Sequence, residues 1–383
     1  MSDAPIDGAL FVTGGLRTGT TLLANLFSAQ DQVSVLSQPF PSLFTETKRE
    51  LLRTRGLENE RYPLGHLFLE HRDDAGLSEF LSRWRTNPDA LRALFETMRG
   101  YSGQMTRFDS ERLEHAFASI GAHHDFAAVV ATLDRQLAHT PDARWCGSKE
   151  VVCEEYLPYL LDRGFHCVLI VRDLRDVLAS TNHGKGREFG GELKPTLFNI
   201  RSWRKSASFA LALAHHPRFA WCRYEDLVAD PVATLARLHD ALGLGAFDEA
   251  RVHEDLRDSS GEPWRGNSSW DERSRVTASS VGVHRHTLPA GVSRFAEATA
   301  LPELQCLGYE TSMTRSEAVE VIRAFHEPYE TRTDGFERDL MNEQNASIEM
   351  QRLGLVSERA DDDTARWFLF PEAHARLRSA FRG

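Results

Sequence analysis

The residues with the clearest chemical meaning lie close to the N-terminus, in the stretch Leu10–Leu23. An apolar run there gives way to a glycine-rich turn, and hydroxyl residues follow it. Glycines let a backbone approach a ligand, and the N–H groups at the start of a helix attract an anion. The spacing of Gly14, Gly19 and Thr21 is that of a phosphate-binding P-loop, except that Thr20 stands in the lysine position. The missing lysine argues against ordinary ATP or GTP chemistry and suggests a nucleotide with a different 5′ group.

Two later segments and a loop could bind further parts of such a nucleotide. Arg172 follows an apolar run, and Ser180 stands eight residues after it. Tyr224 opens a Tyr-Glu-Asp-Leu segment, and Arg265 and Gly266 lie in a stretch rich in Ser, Gly, Arg and Trp. A guanidinium binds phosphate as a planar fork, and a hydroxyl adds one more donor.

Together these motifs resemble the sulfotransferases that use 3′-phosphoadenosine 5′-phosphosulfate (PAPS), over roughly residues 10–308. The resemblance implies transfer of a sulfuryl group from PAPS to a hydroxyl, less often an amine, of a small molecule. The product nucleotide is 3′-phosphoadenosine 5′-phosphate (PAP), and no metal is required. The implied nucleotide-binding residues are Gly15, Arg17, Thr18, Gly19, Thr20, Thr21, Arg172, Ser180, Tyr224, Arg265 and Gly266.

The resemblance also implies catalytic roles for two cations. Arg17 occupies the place where many relatives have a lysine, and it can stabilise charge on the departing phosphate. Lys149 stands where relatives often carry a lysine near the transferring group.

The general base is less clear, because Gln38 and Val151 stand where relatives have a carboxylate or a histidine. Glu150, next to Lys149, is the first candidate because a base must lie close to the acceptor. An acceptor that needs little help with deprotonation is an alternative. Further candidates are His66, His71, His123, His124 and His183.

The elements that must position these residues alternate between strand and helix. The sequence predicts strands at Ala9–Thr13, His166–Val171 and Phe219–Tyr224. It predicts helices at Thr20–Ser28, Leu174–Thr181 and Val232–Leu242. This alternation indicates an α/β fold with a parallel sheet flanked by helices, of the P-loop-kinase-like sulfotransferase type that the resemblance implies.

Two regions depart from the alternation. Residues 45–143 show apolar residues at helical spacing and are predicted to be a helical insertion that caps the acceptor site. Residues 313–383 are predicted to be a C-terminal helical extension of the 1–312 domain, with helices at Arg315–Phe325 and Phe336–Leu353.

Composition narrows the class of protein. The chain has 383 residues, 41% of them hydrophobic and 26% charged, as in globular proteins. A net charge of −11 argues against nucleic acid as the main partner. The five scattered cysteines fit neither a disulfide framework nor a zinc site.

The remaining expectations concern location and rival functions. The N-terminus lacks a secretory pattern and no apolar run is long enough for a membrane helix, so we expect a cytoplasmic protein without a membrane partner. The sequence leaves open whether the chain forms a homodimer. The rival functions are a P-loop kinase of a small molecule and a non-catalytic nucleotide-binding relative.

Overall fold

The centre of the fold is a parallel sheet of five strands. It is seen in a computed structural model that describes residues 8–55, 74–97, 106, 108, 110–140, 142–184, 193–257, 263–264, 274–331, 336–357 and 367–381. The strand order is β2-β3-β1-β4-β5. The strands are β1 (Ala9–Thr13), β2 (Val33–Ser37), β3 (Trp145–Lys149), β4 (His166–Val171) and β5 (Phe219–Arg223).

Strand β1 lies in the middle of the sheet because its residues are apolar on both faces. Leu10 and Val12 belong to one buried cluster, whereas Phe11 belongs to the other. Leu10 is paired with Gly147 of β3, and Phe11 with Cys167 of β4. A strand buried on both faces is typical of a parallel sheet covered by two layers of helices. The predicted α/β class is therefore confirmed.

Helices cover both faces of the sheet. The face of Leu10 and Val12 packs against α1 (Thr20–Ser28), α10 (Tyr224–Ala229) and α11 (Pro231–Leu242). The opposite face and its surroundings are covered by the remaining helices near the sheet: α7 (Leu157–Asp162), α8 (Leu174–Asn182), α9 (Thr196–Leu213), α12 (His284–Thr287), α13 (Ala290–Thr299) and α14 (Leu301–Cys306).

The predicted insertion is helical in its described part. Its helices lie between β2 and β3 in the chain. They are α2 (Pro41–Thr54), α3 (Asp74–Arg83), α4 (Pro88–Thr97), α5 (Ser110–Ala118) and α6 (Phe126–Gln136). The start of α2 is bonded to the end of β3, as described below, so the insertion begins beside the sheet edge at which the strands end.

The C-terminal helices share a core with the sheet domain. They are α15 (Arg315–Ala324), α16 (Glu343–Leu355) and α17 (Pro371–Ala380). Glu349 of α16 forms buried ion pairs with Arg201 at 2.9 Å and with Arg204 at 2.6 Å, both on α9. The apolar tail residues Phe368 and Phe370 are buried in the same cluster as the sheet. The domain boundaries stay predictions, but these contacts fasten the extension firmly to α9.

Local signals located several boundaries correctly. Asp230 caps α11 by accepting a hydrogen bond from the Ala233 N–H, and Gly243 ends that helix with a left-handed backbone. The predicted helix Phe336–Leu353 is partly wrong, because regular α-helix begins only at Glu343, after a short 3-10 turn. Asn342 caps that start by accepting from the Asn345 N–H.

Candidate active site

The glycine-rich loop connects β1 to α1 at the carboxyl end of the sheet. Gly19 is the N-cap of α1 and has a left-handed backbone, with φ 97°. A Cβ placed there would lie 2.5 Å from Cδ2 of Tyr224, so only glycine fits. The first N–H groups of α1, from Thr20 onwards, have no acceptor within the helix itself, which makes this end suited to an anion.

The hydroxyl residues of the glycine-rich loop are buried. Thr18 Oγ1 donates to the Gly15 carbonyl at 2.8 Å, which closes the loop on itself. Thr20 and Thr21 are each only 5% exposed. The loop is therefore compact, with its hydroxyl side chains gathered at the helix start.

Arg172, the residue after β4, reaches this loop from the neighbouring strand. Its Nη1 donates to the Arg17 carbonyl at 3.1 Å, and its guanidinium carbon lies 4.7 Å from the centre of the Tyr224 ring. The residue is only 5% exposed, and its Nε has no hydrogen-bond partner among the described residues. A buried guanidinium with a spare donor is suited to an anionic ligand.

Arg17 joins the loop to the second predicted motif. Its Nε donates to Ser180 Oγ at 3.1 Å, although the two residues are 163 positions apart. Burial, together with the nearby charge of Arg172, lowers the pKa of the Arg17 guanidinium to about 10. A half-buried and a buried cation that repel each other favour an anion between or beside them. The structure thus brings Arg17, Arg172 and Ser180 together.

A second layer of contacts fixes the backbone of the Arg172 turn. Trp203 Nε1 donates to the Arg172 carbonyl at 2.7 Å. Glu225 Oε1 accepts from the Asp173 N–H at 2.9 Å, and its Oε2 accepts from the Tyr309 hydroxyl at 3.1 Å. Glu225 of the Tyr-Glu-Asp-Leu segment therefore supports the turn rather than facing a ligand.

Lys149 ends β3 and points towards the start of α1. Its Nζ donates to Thr21 Oγ1 at 3.2 Å and to Gln38 Oε1 at 3.1 Å. Burial lowers the pKa of this ammonium to about 8, against the opposing effect of Glu150. Gln38 is bound twice, since its N–H also donates to the Lys149 carbonyl at 2.7 Å. Lys149 thus lies beside the loop, as its predicted role requires.

Glu150 reaches a different partner from its neighbour. Its Oε1 accepts from the Phe40 N–H at 2.7 Å, at the beginning of α2. Burial raises the pKa of this carboxyl to about 8, although the Phe40 N–H and the charge of Lys149 both oppose the shift. A buried carboxyl with a raised pKa is a common form of general acid or base.

Several predicted residues are placed elsewhere or lie outside the described residues. Arg265, Gly266, His66 and His71 belong to the parts of the chain that the structure does not describe. His183 Nε2 lies 2.9 Å from the Tyr329 hydroxyl. His123 is exposed, whereas His124 is half-buried and its Nδ1 accepts from the Gly121 N–H at 3.2 Å.

Sequence reasoning missed the residues that hold Arg172 from the far side. These are Asp176 and Ser280, together with His284. Asp176 stands four residues after Arg172, a spacing that brings side chains together on a helix, and this was an available signal. Ser280 and His284 carry no local signal because their contacts are more than 100 residues distant in sequence.

Within the described ranges, no cluster of three or more His, Cys, Asp or Glu residues is arranged to hold a metal ion. No helix of this described part is both long and apolar enough to cross a bilayer.

Comparison with known proteins agrees with the resemblance. The family model described as "Sulfotransferase family" matches residues 9–249, so the chain belongs to the sulfotransferase family. The matched range contains the glycine-rich loop, Lys149, Arg172 and Ser180. No curated protein sequence matches the chain.

Several solved structures are similar to the chain at low identity. The sulfotransferase domain from the curacin biosynthetic pathway is 17% identical, with 81% of this chain and 100% of that chain covered and a TM-score of 0.46. The sulfotransferase domain of the Synechococcus PCC 7002 olefin synthase is 16% identical, with 88% and 94% covered and a TM-score of 0.40. Retinol dehydratase in a complex with retinol and PAP is 14% identical, with 81% and 84% covered and a TM-score of 0.36.

Proposed function

We propose that this sulfotransferase-family member transfers a sulfuryl group from PAPS to a hydroxyl of a small-molecule acceptor and releases PAP. The observation that carries the proposal is the meeting of three predicted residues. Arg17 from the N-terminal loop is hydrogen-bonded to Ser180, and Arg172 is bonded to the backbone of Arg17. Two predicted anion-binding motifs far apart in sequence thus contact each other, which supports a ligand with phosphates at both ends.

The chemistry of the donor groups fits such a nucleotide. The 5′ end is suited to the loop N–H groups and to Thr20 and Thr21 at the start of α1. The 3′-phosphate is suited to Arg172, whose buried Nε has no partner in the described part of the chain, and to the Ser180 hydroxyl. The Tyr224 ring, which stacks under Arg172, is positioned to limit the movement of the guanidinium.

Sulfuryl transfer resembles phosphoryl transfer in depending mainly on position and charge stabilisation. In the proposed step the acceptor oxygen forms a bond to sulfur while the bond from sulfur to the 5′-phosphate oxygen breaks. The leaving phosphate keeps the electron pair, and Arg17 and Lys149 stabilise its added charge. The acceptor proton passes to a base, for which Glu150 is the first candidate because it adjoins Lys149 in the chain.

The proposal is tested by supplying PAPS labelled with ³⁵S in the sulfuryl group together with a panel of small alcohols and phenols. The proposal predicts a labelled acceptor and an equal amount of PAP, without added metal. Phosphorylation of the same acceptors from labelled ATP and Mg²⁺ would instead support the kinase alternative. Binding of PAP without any sulfated product from the panel would support a non-catalytic relative.

Replacement of Arg172 by alanine links the activity to the site. We expect PAP binding to weaken by about 2–4 kcal/mol, the range for removing one partner of a desolvated charge pair. Arg237→Ala is the matched control, because this exposed arginine lies on α11, where both of its Nη atoms donate to the Trp221 carbonyl at 3.4 Å. Wild-type affinity for PAP in Arg172→Ala would count against the assignment.

A further inference from the structure

A second segment of the chain is attached to the arginine proposed to bind the 3′-phosphate. Arg172 Nη2 donates to the Ser280 carbonyl at 2.5 Å, and Ser280 is 5% exposed. Together with the bond from Nη1 to the Arg17 carbonyl, this contact fixes the plane of the guanidinium at two points. Nε remains a donor without a partner within the described residues. The position of Ser280 therefore decides where the spare donor points.

Asp176 on α8 holds the segment that contains Ser280. Its Oδ2 accepts from the Gly282 N–H at 2.7 Å, and its Oδ1 accepts from the His284 N–H at 3.0 Å and lies 2.6 Å from His284 Nδ1. Asp176 is 1% exposed and His284 is 8% exposed. Although burial opposes ionisation, the hydrogen bonds from His284 and the charge of Arg172 lower the pKa of Asp176. Asp176 is thus a buried carboxylate with three donors from one segment.

The same carboxylate lies close to the arginine itself. Asp176 Oδ2 is 4.0 Å from Arg172 Nη2, a weaker contact than the bonds it forms with the segment. Asp176 therefore acts on Arg172 chiefly through Ser280, by fixing the backbone that accepts the Nη2 hydrogen bond.

We propose that Asp176 and His284 are positioning residues which hold Arg172 in the orientation that selects a 3′-phosphorylated adenosine. This inference rests on the proposed nucleotide site and adds the cause of its selectivity. Neither residue needs to touch the nucleotide. Their effect is to reduce the number of orientations that the guanidinium can adopt before the ligand binds, which lowers the entropy cost of binding.

Simple electrostatics predicts a change in PAP affinity of the opposite sign. Removal of the Asp176 charge would take away a carboxylate that offsets the charge of Arg172, and it would thereby tighten the binding of a phosphate. A positioning role predicts that the same change weakens binding, because one carboxylate oxygen no longer accepts from the Gly282 or His284 N–H groups and the 280–284 segment loosens. The direction of the change therefore separates the two accounts.

The experiment compares PAP with 5′-AMP, which lacks the 3′-phosphate, by isothermal titration calorimetry. For Asp176→Asn we expect PAP affinity to fall by at least about tenfold and AMP affinity to stay within about threefold. Tighter PAP binding, or an unchanged ratio of PAP affinity to AMP affinity, would overturn the inference. Wild-type protein that does not distinguish PAP from AMP would instead refute the proposed 3′-phosphate site.

Variants at His284 keep the test decisive if Asp176→Asn does not fold. His284→Ala removes one donor to the carboxylate, and we expect a smaller loss of PAP affinity, of about three- to tenfold. His284→Asn can place a side-chain N–H near the position of Nδ1 and should restore most of that loss. His286→Ala is the matched control, since this histidine is exposed on the same short helix. Equal PAP affinity in His284→Ala and His286→Ala would overturn the inference.

Discussion

The contact between Gln38 and Lys149 allows a direct test of the electrostatics at the end of β3. Gln38 Oε1 lies 3.1 Å from Lys149 Nζ and offers a dipole, not a charge. Burial lowers the pKa of the ammonium to about 8. Replacement of Gln38 by glutamate would place a carboxylate at this distance, and it must therefore raise the pKa of Lys149.

The size of the shift follows from the distance. Opposite unit charges 3.1 Å apart attract by about 1.3 kcal/mol at the dielectric constant of water and by about 5 kcal/mol at an effective value of about 20. One pKa unit corresponds to about 1.4 kcal/mol, so we expect a rise of about 1–4 units. This rise would return the Lys149 pKa to at least about 9, towards the ordinary value of lysine near 10.4.

The assay is NMR observation of ¹³C at the lysine ε position as a function of pH. The spectrum is simple because the chain contains only five lysines, and the Lys149 signal is assigned by its loss in Lys149→Arg. These lysines are Lys48, Lys149, Lys185, Lys194 and Lys205.

A neutral substitution serves as the control. Gln38→Met removes the dipole without adding a charge, and we expect the Lys149 pKa to stay near about 8 or to fall. A Gln38→Glu variant in which Lys149 titrates at the wild-type midpoint would refute the reasoning. The same outcome would also argue against a contact between the Gln38 and Lys149 side chains in solution.

Three further changes test other parts of the structure. Burial raises the pKa of Glu150 to about 8, so folding takes up a proton between about pH 4.5 and 8. In wild-type protein the free energy of unfolding should therefore fall as the pH rises through this window. Glu150→Gln should remove this pH dependence of the unfolding free energy, measured by urea titration, and should also reduce turnover. The same pH dependence in wild-type protein and in Glu150→Gln would contradict the prediction. Gly19→Ala should lower the free energy of unfolding by at least about 1 kcal/mol more than Gly243→Ala. Both glycines have positive φ, but only at Gly19 would an added Cβ press against Tyr224. Equal losses in the two variants would argue against this contact. Glu349→Ala should lower the free energy of unfolding by about 3–5 kcal/mol, because it takes a buried carboxylate from Arg204 and Arg201 of α9, of which Arg201 keeps its pair with Asp339. A loss below about 1 kcal/mol would mean that the extension is not fastened there.

The sequence predicted the phosphate loop well because its signals are local. The change from apolar strand to glycines and hydroxyls located β1, the loop and α1, and the helix begins at Thr20 as expected. The helix start at Leu174 was predicted in the same way, and the Asp173 carboxylate caps it by accepting from the Arg175 N–H. Strand ends and helix starts depend on residues within a few positions, so one sequence is enough to locate them.

The strands β2 and β3 were both missed, and for β3 the reason is equally physical. Strand β3 reads Trp-Cys-Gly-Ser-Lys, and its last three residues are not typical of a buried strand. Lys149 and Ser148 are nevertheless fully buried, because each has hydrogen-bond partners on a neighbouring element. A strand that carries polar site residues lacks the apolar pattern that would reveal it.

The partners of the site residues were the least predictable part. The resemblance singled out Gln38 because of its position, but its bond to Lys149 depends on β2 and β3 being neighbours. The contacts of Asp176 with Gly282 and His284 join positions more than 100 residues apart. Such pairs follow from the packing of the whole chain, which no local pattern records.

The central claim is that one nucleotide with two phosphates spans the loop and the Arg172 turn, and a crystal structure with PAP tests it most directly. The account predicts the 3′-phosphate at hydrogen-bond distance, about 2.7–3.2 Å, from both Arg172 and Ser180. It predicts the 5′-phosphate at the N–H groups of the loop between Gly15 and Thr21. An ordered PAP molecule whose 3′-phosphate faces solvent, or which lies away from Gly19, would contradict the account.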